Sequence, residues 1–299
     1  MERSIINRRQ KRNMLMQTLL FLSPSLLLLL IFFIGPVVMT IFFSFTNFSL
    51  TGSNARDVSF VGLDNFRNLF ADPRFFSSFS ATTAFLLASG IIGQQLLGFG
   101  VAFLMQRKNR TFRKVVGATI MAGWVTPELI VAISFVTFLH DGGSLNAFME
   151  NVGLEPVSWL YEHPMGSVVV ANIWQGSALS MLMFQSALDS IPESLYEAAE
   201  IDGASAWDKL LRVTLPMIKG TIFTNLIIIT LSTLGVFTLI YTMTGGGPAG
   251  KTATLPVFMY EQAFVNYRLG YGTAIAMVIL GFGILLSLVY IRLLRVRKD

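Results

Sequence analysis

Hydrophobic runs of about 20 residues or more recur along the chain, at roughly 17–45, 79–105, 115–139, 165–189, 221–243 and 271–293. Each is long enough to cross the apolar core of a bilayer as a helix. The pattern predicts an all-α, polytopic membrane protein with six transmembrane helices. A basic segment, 1–16, precedes a span-bearing body over 17–293, and a short tail covers 294–299. The connections are too short to hold a separate soluble domain.

One polar interruption is longer than the others and carries helix signals of its own. It covers 190–220 and contains Glu197-Ala-Ala-Glu-Ile-Asp202-Gly203, then Leu215-Pro216. Ser190-Ile-Pro192-Glu193 reads as a capping box with proline near the first helical position. A short helix is expected through about Ile201, with Asp202-Gly203 as its stop and turn. Ser205, with Asp208 three residues on, predicts the cap of a second short helix that ends at Thr214-Leu215-Pro216. A folded helix-turn-helix between spans is either a docking surface or an ordinary connection, and local physics fits both.

Composition supports the membrane reading. Mean hydropathy is +0.63, and charged residues make up only 13% of the chain, about half the usual share of soluble domains. The 22 Lys and Arg residues are unevenly placed. One side receives Arg3, Arg8, Arg9, Lys11 and Arg12, then Arg107, Lys108, Arg110, Arg113 and Lys114. The same side takes Lys209, Arg212 and Lys219, then Arg292, Arg295, Arg297 and Lys298. The other receives only Arg56, Arg67, Arg74, Lys251 and Arg268. By the positive-inside rule both termini and the 190–220 segment are expected in the cytoplasm. These short juxtamembrane clusters give no case for nucleic acid. The opening run is too long for a signal peptide and no small-x-small cleavage site follows, so a retained span is expected.

No catalytic or metal constellation is evident. There are no cysteines, hence no disulfide framework or thiolate site. His140 and His163 share one loop without ligand spacing. Gly245-Gly-Gly-Pro-Ala-Gly250-Lys251-Thr252 satisfies the P-loop pattern. It follows a membrane helix rather than a buried strand, Pro256 soon comes after it, and the charge rule places it outside the cell, away from ATP.

Several span residues are candidates for a solute path. Asn172, Gln175, Gly176 and Leu179 form one helical stripe, and Trp174 is beside it. Amides that donate and accept, next to an aromatic ring, suit sugar hydroxyls and ring faces; glue between helices is the alternative. Thr230, Thr233 and Phe237 share a face of the fifth run, although threonines often bond their own backbone. Glu128 follows Pro127, where a kink is expected, and is a carboxylate deep in a span: either functional or a structural group near the kink. Gly90, Gly93, Gln94, Gln95 and Gly98 suit close packing, within the subunit or on a partner. An interfacial helix is expected over Phe60–Phe70, and an external helix, rich in Phe and Tyr, over 255–267.

Glu197, Ala198 and Ala199, then Gly203, then Leu215 and Pro216, resemble the cytoplasmic signature loop of ABC importer membrane subunits, at matching spacing. Asn-x-Trp-x-Gly at 172–176 and Thr-Gly-Gly-Gly-Pro at 244–248 are similar to carbohydrate-type permeases. The resemblance covers nearly the whole chain. It implies the type I importer fold and an inner (plasma) membrane location. It also implies a second homologous permease subunit, two ABC ATPase subunits that bind the ATP and magnesium, an extracytoplasmic solute-binding protein, and a sugar or oligosaccharide substrate. No cofactor would be held by this chain, and it would not be an enzyme. The ATPase-coupling role is thereby expected of Glu197, Ala198, Ala199, Asp202, Gly203, Leu215 and Pro216. The 255–267 helix is expected to meet the binding protein. Glycerol phosphate, an amino acid, a peptide or an ion are alternative solutes. A secondary transporter using Glu128 is an alternative of another class.

Overall fold

The computed structural model describes residues 2–106 and 108–296. Arg107, residues 297–299 and the side chains of Arg3, Arg8, Arg9, Lys11, Arg12 and Arg295 lie outside what it describes. Among the described residues five helices are long and apolar enough to cross a membrane, and a sixth if a bent pair is taken as one crossing. The chain is all-helical as expected, apart from one isolated antiparallel bridge, Thr46 to Phe60.

The helices are α1 (2–44), α2 (Asp64–Ala71), α3 (Pro73–Gln106), α4 (Arg110–Val125), α5 (Glu128–Leu139), α6 (Ser144–Asn151), α7 (Trp159–Glu162), α8 (Pro164–Asp189), α9 (Glu193–Ile201), α10 (Ala206–Met217), α11 (Lys219–Leu234), α12 (Thr238–Thr244), α13 (Leu255–Tyr260) and α14 (Leu269–Val296). Two expected spans are broken. The run 115–139 divides where Pro127 lacks a donor and Thr126 takes an extended conformation, with ψ of 128°, as the residue before proline must. The run 221–243 divides at Gly235–Phe237, between α11 and α12. Widened π-type turns precede Pro36 and Pro216, where the missing proline donor interrupts the helical ladder.

Two compact units divide the chain: Met1–Leu69 with Gln262–Met277, and Phe70–Glu261 with Val278–Asp299. In the first, Asn65 Nδ2 donates to Ser44 O at 2.9 Å and Thr46 O at 2.8 Å, tying α2 to the end of α1. Gly270 N donates to Phe48 O at 2.8 Å. A Cβ at Gly270 would lie 2.3 Å from Thr46 O, so only glycine fits this approach. Otherwise α1 is exposed along its apolar length.

In the second unit α8 is the central rod, packed along α3. Gln94 Nε2 donates to Asn172 O at 3.0 Å, and Asn172 Nδ2 to Ser89 Oγ at 2.8 Å. Asn225 Nδ2 donates to Gln95 Oε1 at 2.9 Å, which fastens α11 to α3. The backbones meet at glycine: a Cβ on Gly98 would lie 2.4 Å from Ser180 Cβ and 2.8 Å from Met181 N. The Gly/Gln face of the second span is therefore spent within the subunit. Two apolar clusters flank the rod. One joins Val131, Val168, Leu239 and Val257; the other joins Met105, Phe184, Leu188 and Ile218.

This packing yields a test. Gly98→Val should cost about 1–3 kcal/mol through overpacking and lower the thermal midpoint of the detergent-solubilised protein. Gly100→Ala, where a Cβ meets nothing within 4 Å, should leave it unchanged.

Candidate functional site

The 190–220 segment folds as two short helices, α9 and α10, joined by a turn in which Gly203 has φ +74°. That left-handed conformation is open to glycine and strained for L side chains. The start of α9 differs from expectation. Pro192 is the N-cap residue and provides no side-chain cap, while Ser190 Oγ donates back to Ala187 O at 2.7 Å and so closes α8. The second cap forms as expected: Ser205 Oγ accepts from Asp208 N at 3.2 Å, within a full capping box. The hydrogen bond from Ser205, with Arg212 further off, holds the Asp208 carboxyl below its ordinary value.

Three contacts fasten the pair into one body on the end of the bundle. Lys209 Nζ donates to Glu200 Oε1 at 2.5 Å. Tyr196 and Thr214 share a hydroxyl hydrogen bond at 3.1 Å. Leu215 packs on the buried cluster of Met105, Phe184, Leu188 and Ile218. At Ile218 the chain bends by 66° from α10 into α11. Arg113 of α4 pairs with Asp189 at the other entrance to the segment.

Glu197, Ala198, Asp202, Gly203 and Pro216 are exposed, and Ala199 and Leu215 half-buried. Beside them stand Ile201, 87% exposed, and Trp207, 66% exposed. These two were not singled out from sequence. The available signal was large apolar side chains in a polar, helix-forming segment, with no apolar face nearby to receive them.

The expected path residues fall into two groups. Asn172, Thr230 and Thr233 are buried. The Asn172 amide is committed to Ser89, and Thr230 Oγ1 lies 3.2 Å from Tyr290 OH. Gly176 accommodates the Gln94 side chain, since a Cβ there would lie 2.2 Å from Gln94 Oε1. Leu179 is half-buried. Gln175 Nε2 donates to Thr126 O at 3.2 Å, so this amide caps the broken end of α4. Trp174 is half exposed, its ring edge-on to Phe135 at 5.9 Å. Glu128 is exposed in the first turn of α5. Phe237 clusters with Tyr260 at 4.8 Å and Tyr241 at 5.1 Å.

The P-loop-like stretch follows α12, and the next helix begins only at Leu255. The strand-loop-helix frame of a phosphate loop is not built here. Beyond it, within the expected external helix, the residues of α13 are mostly interior: Leu255, Val257 and Phe258 are fully buried.

Residues 94–297 match the family model described as "Binding-protein-dependent transport system inner membrane component". The chain belongs to that family. The permease is 32% identical over 293 residues to the trehalose/maltose transport system permease protein of Thermococcus litoralis, covering 94% of each chain. It is 30% identical over 282 residues to the sulfoquinovosyl glycerol transport system permease protein of Agrobacterium fabrum, covering 93% of this permease and 90% of that one. A bacterial ABC transporter involved in the import of the acidic polysaccharide alginate has the same fold. Its chain matches with a TM-score of 0.82 and 24% identity, over 98% of the permease and 99% of that chain. The permease is thus a multi-pass inner-membrane subunit of a binding-protein-dependent ABC importer, and its part in the importer is not catalysis.

The capping geometry can be tested directly. Ser205→Ala removes a cap that contributes about 1 kcal/mol. Amide exchange over residues 205–212 of the purified protein should quicken severalfold, with α8 unaffected.

Proposed function

We propose that this permease forms half of the translocation pathway of a carbohydrate importer, and that the α9–α10 segment is its coupling element. The observation that carries this reading is a helix pair, tied by the Glu200–Lys209 and Tyr196–Thr214 contacts, that presents Glu197, Ala198, Ile201 and Trp207 outward with nothing of its own subunit covering them. Exposed apolar groups of this size at the tip of a folded element suit seating in a cleft of another protein. Small Ala198 allows close approach, Glu197 supplies a polar contact, and Gly203 permits the turn.

The distribution of Lys and Arg supports a cytoplasmic position for this element and for both termini. The partners are two ABC ATPase subunits on the cytoplasmic side, a second homologous permease subunit in the membrane, and an extracytoplasmic binding protein that delivers the solute. Closure of the ATPase pair on ATP would move α9–α10 as one body. The 66° bend at Ile218 and the junction at Asp189 would carry that motion into α11 and α8. Hydrolysis is on the ATPases, so ATP and magnesium are theirs.

A sugar or oligosaccharide is the substrate that the permease's relatives favour. Of the residues expected along the path, Trp174, Glu128 and the Phe237 cluster offer accessible surface. Asn172, Thr230 and Thr233 act from beneath it, setting the positions of α8 and α11.

Gly203→Asp tests the reading. Solute uptake by the reconstituted transporter should fall at least tenfold, while assembly of the membrane subunits and binding-protein affinity stay within twofold. Wild-type uptake with normal binding-protein-stimulated ATPase activity would remove the coupling role.

A further inference from the structure

A groove runs between α4 and α8. Its volume is about 560 Å³, and Arg110, Lys114, Gly117, Met121, Leu182 and Gln185 line it. On α4 these residues fall at i, i+4, i+7 and i+11, which is a single stripe. The stripe is cationic at its start and apolar at its end. It spans about 16 Å at 1.5 Å per residue.

The charges within the groove do not cancel. Arg113 also faces it, but its guanidinium is engaged: it pairs with Asp189. In the amide orientation that satisfies both partners, Gln185 accepts from Arg113 Nε at 3.2 Å and Nη2 at 2.9 Å. Asp189, the carboxylate at that end, is thereby neutralised. Arg110 and Lys114 are exposed and form no ion pair among the described residues. Farther along, the groove is unfilled: a Cβ at Gly117 would meet nothing within 4 Å.

We infer that this groove binds an anionic phospholipid of the cytoplasmic leaflet, with the phosphate between Arg110 and Lys114 and an acyl chain along Gly117 and Met121. Charge and shape match end to end. Two uncompensated cations stand at the start of a span, where headgroup phosphates are found, and the apolar trough continues into the depth of the acyl chains. A soluble acidic partner could reach the cations but not the trough. The inference rests on the proposed orientation, which puts the Arg110 end of α4 at the cytoplasmic face. A lipid on Arg110 and Lys114 would border the Arg113–Asp189 pair at the root of α9, and so touch the coupling element.

The test uses the complete transporter in bilayer discs of phosphatidylcholine with or without phosphatidylglycerol, and native mass spectrometry to count retained lipid. Lipid retention does not require transport, so its failure is separable from failure of the permease reading. The wild type should retain phosphatidylglycerol over phosphatidylcholine. Arg110→Gln with Lys114→Gln should weaken retention about 25-fold, at about fivefold per cation. Gly117→Leu, which fills the trough and keeps both charges, should also lose it. Loss with the charge variant but not with Gly117→Leu would indicate diffuse surface attraction and overturn the site. No lipid preference in the wild type would overturn it equally. Should the charge variant fail to assemble, a photoactivatable phosphatidylglycerol on the wild type decides: labelling should map to 110–121, and labelling elsewhere refutes the groove. A photocrosslinker at Ala118 that captures the second permease subunit would show the groove to be a protein interface instead.

Discussion

Within hydrocarbon no water satisfies a stray backbone carbonyl or amide, so every break in a spanning helix must find its partner in the protein. The contact between α3 and α8 answers that constraint and positions much else. Glycine at 98 brings the backbones together. With the rods so close, Gln94 can reach the Asn172 carbonyl, and Asn172 can reach Ser89. Because α8 is held along its length, the place where it ends at Asp189 is fixed. The α9–α10 element starts from a defined base.

The same constraint explains why the break after Val125 is tolerated. Thr126 leaves the helix ahead of Pro127, and its carbonyl accepts from Gln175 on α8. A residue that looks in sequence like a solute ligand thus serves in part as a cap for a neighbouring helix. Gly235–Phe237 interrupts the fifth run, and the tight turns Gly235 N to Ser232 O and Val236 N to Thr233 O satisfy the backbone there. Broken spans with internal partners are where a bundle can bend without exposing backbone to lipid.

Much of this was legible in the chain. Hydrophobic length located helices: Pro164–Asp189 and Leu269–Leu293 lie close to the expected runs, whereas 115–139 and 221–243 are each divided; Ser205-x-x-Asp208 marked its helix because a capping box is local chemistry. The membrane-subunit family was legible from Glu197-Ala-Ala, Gly203 and Leu215-Pro216, through resemblance rather than physics. What was less legible depends on tertiary partners. Ser190 reads as an N-cap but closes the preceding helix: its hydroxyl and its backbone N–H both donate to the Ala187 carbonyl. Asn172 fits both solute contact and glue between helices, because a helical stripe does not say which neighbour it meets; in the fold its amide donates to Ser89, 83 residues earlier. Leu255–Phe258 reads as part of an external helix, yet these residues are buried under contacts that no local pattern encodes. That Ile201 and Trp207 stand exposed is a property of the fold.

The account stands on α9–α10 being a rigid body that seats in an ATP-hydrolysing partner. Because the chain has no cysteine, Ile201→Cys introduces a single thiol at the exposed tip. Disulfide crosslinking of that variant to cysteines scanned across the ATPase subunit, in intact membranes, is the most direct measurement. A crosslink to one ATPase cleft whose yield changes between nucleotide-free and ATP-bound transporter is expected. Reaction of the thiol with a membrane-impermeant reagent applied outside intact cells, with no crosslink to any ATPase position, would contradict it.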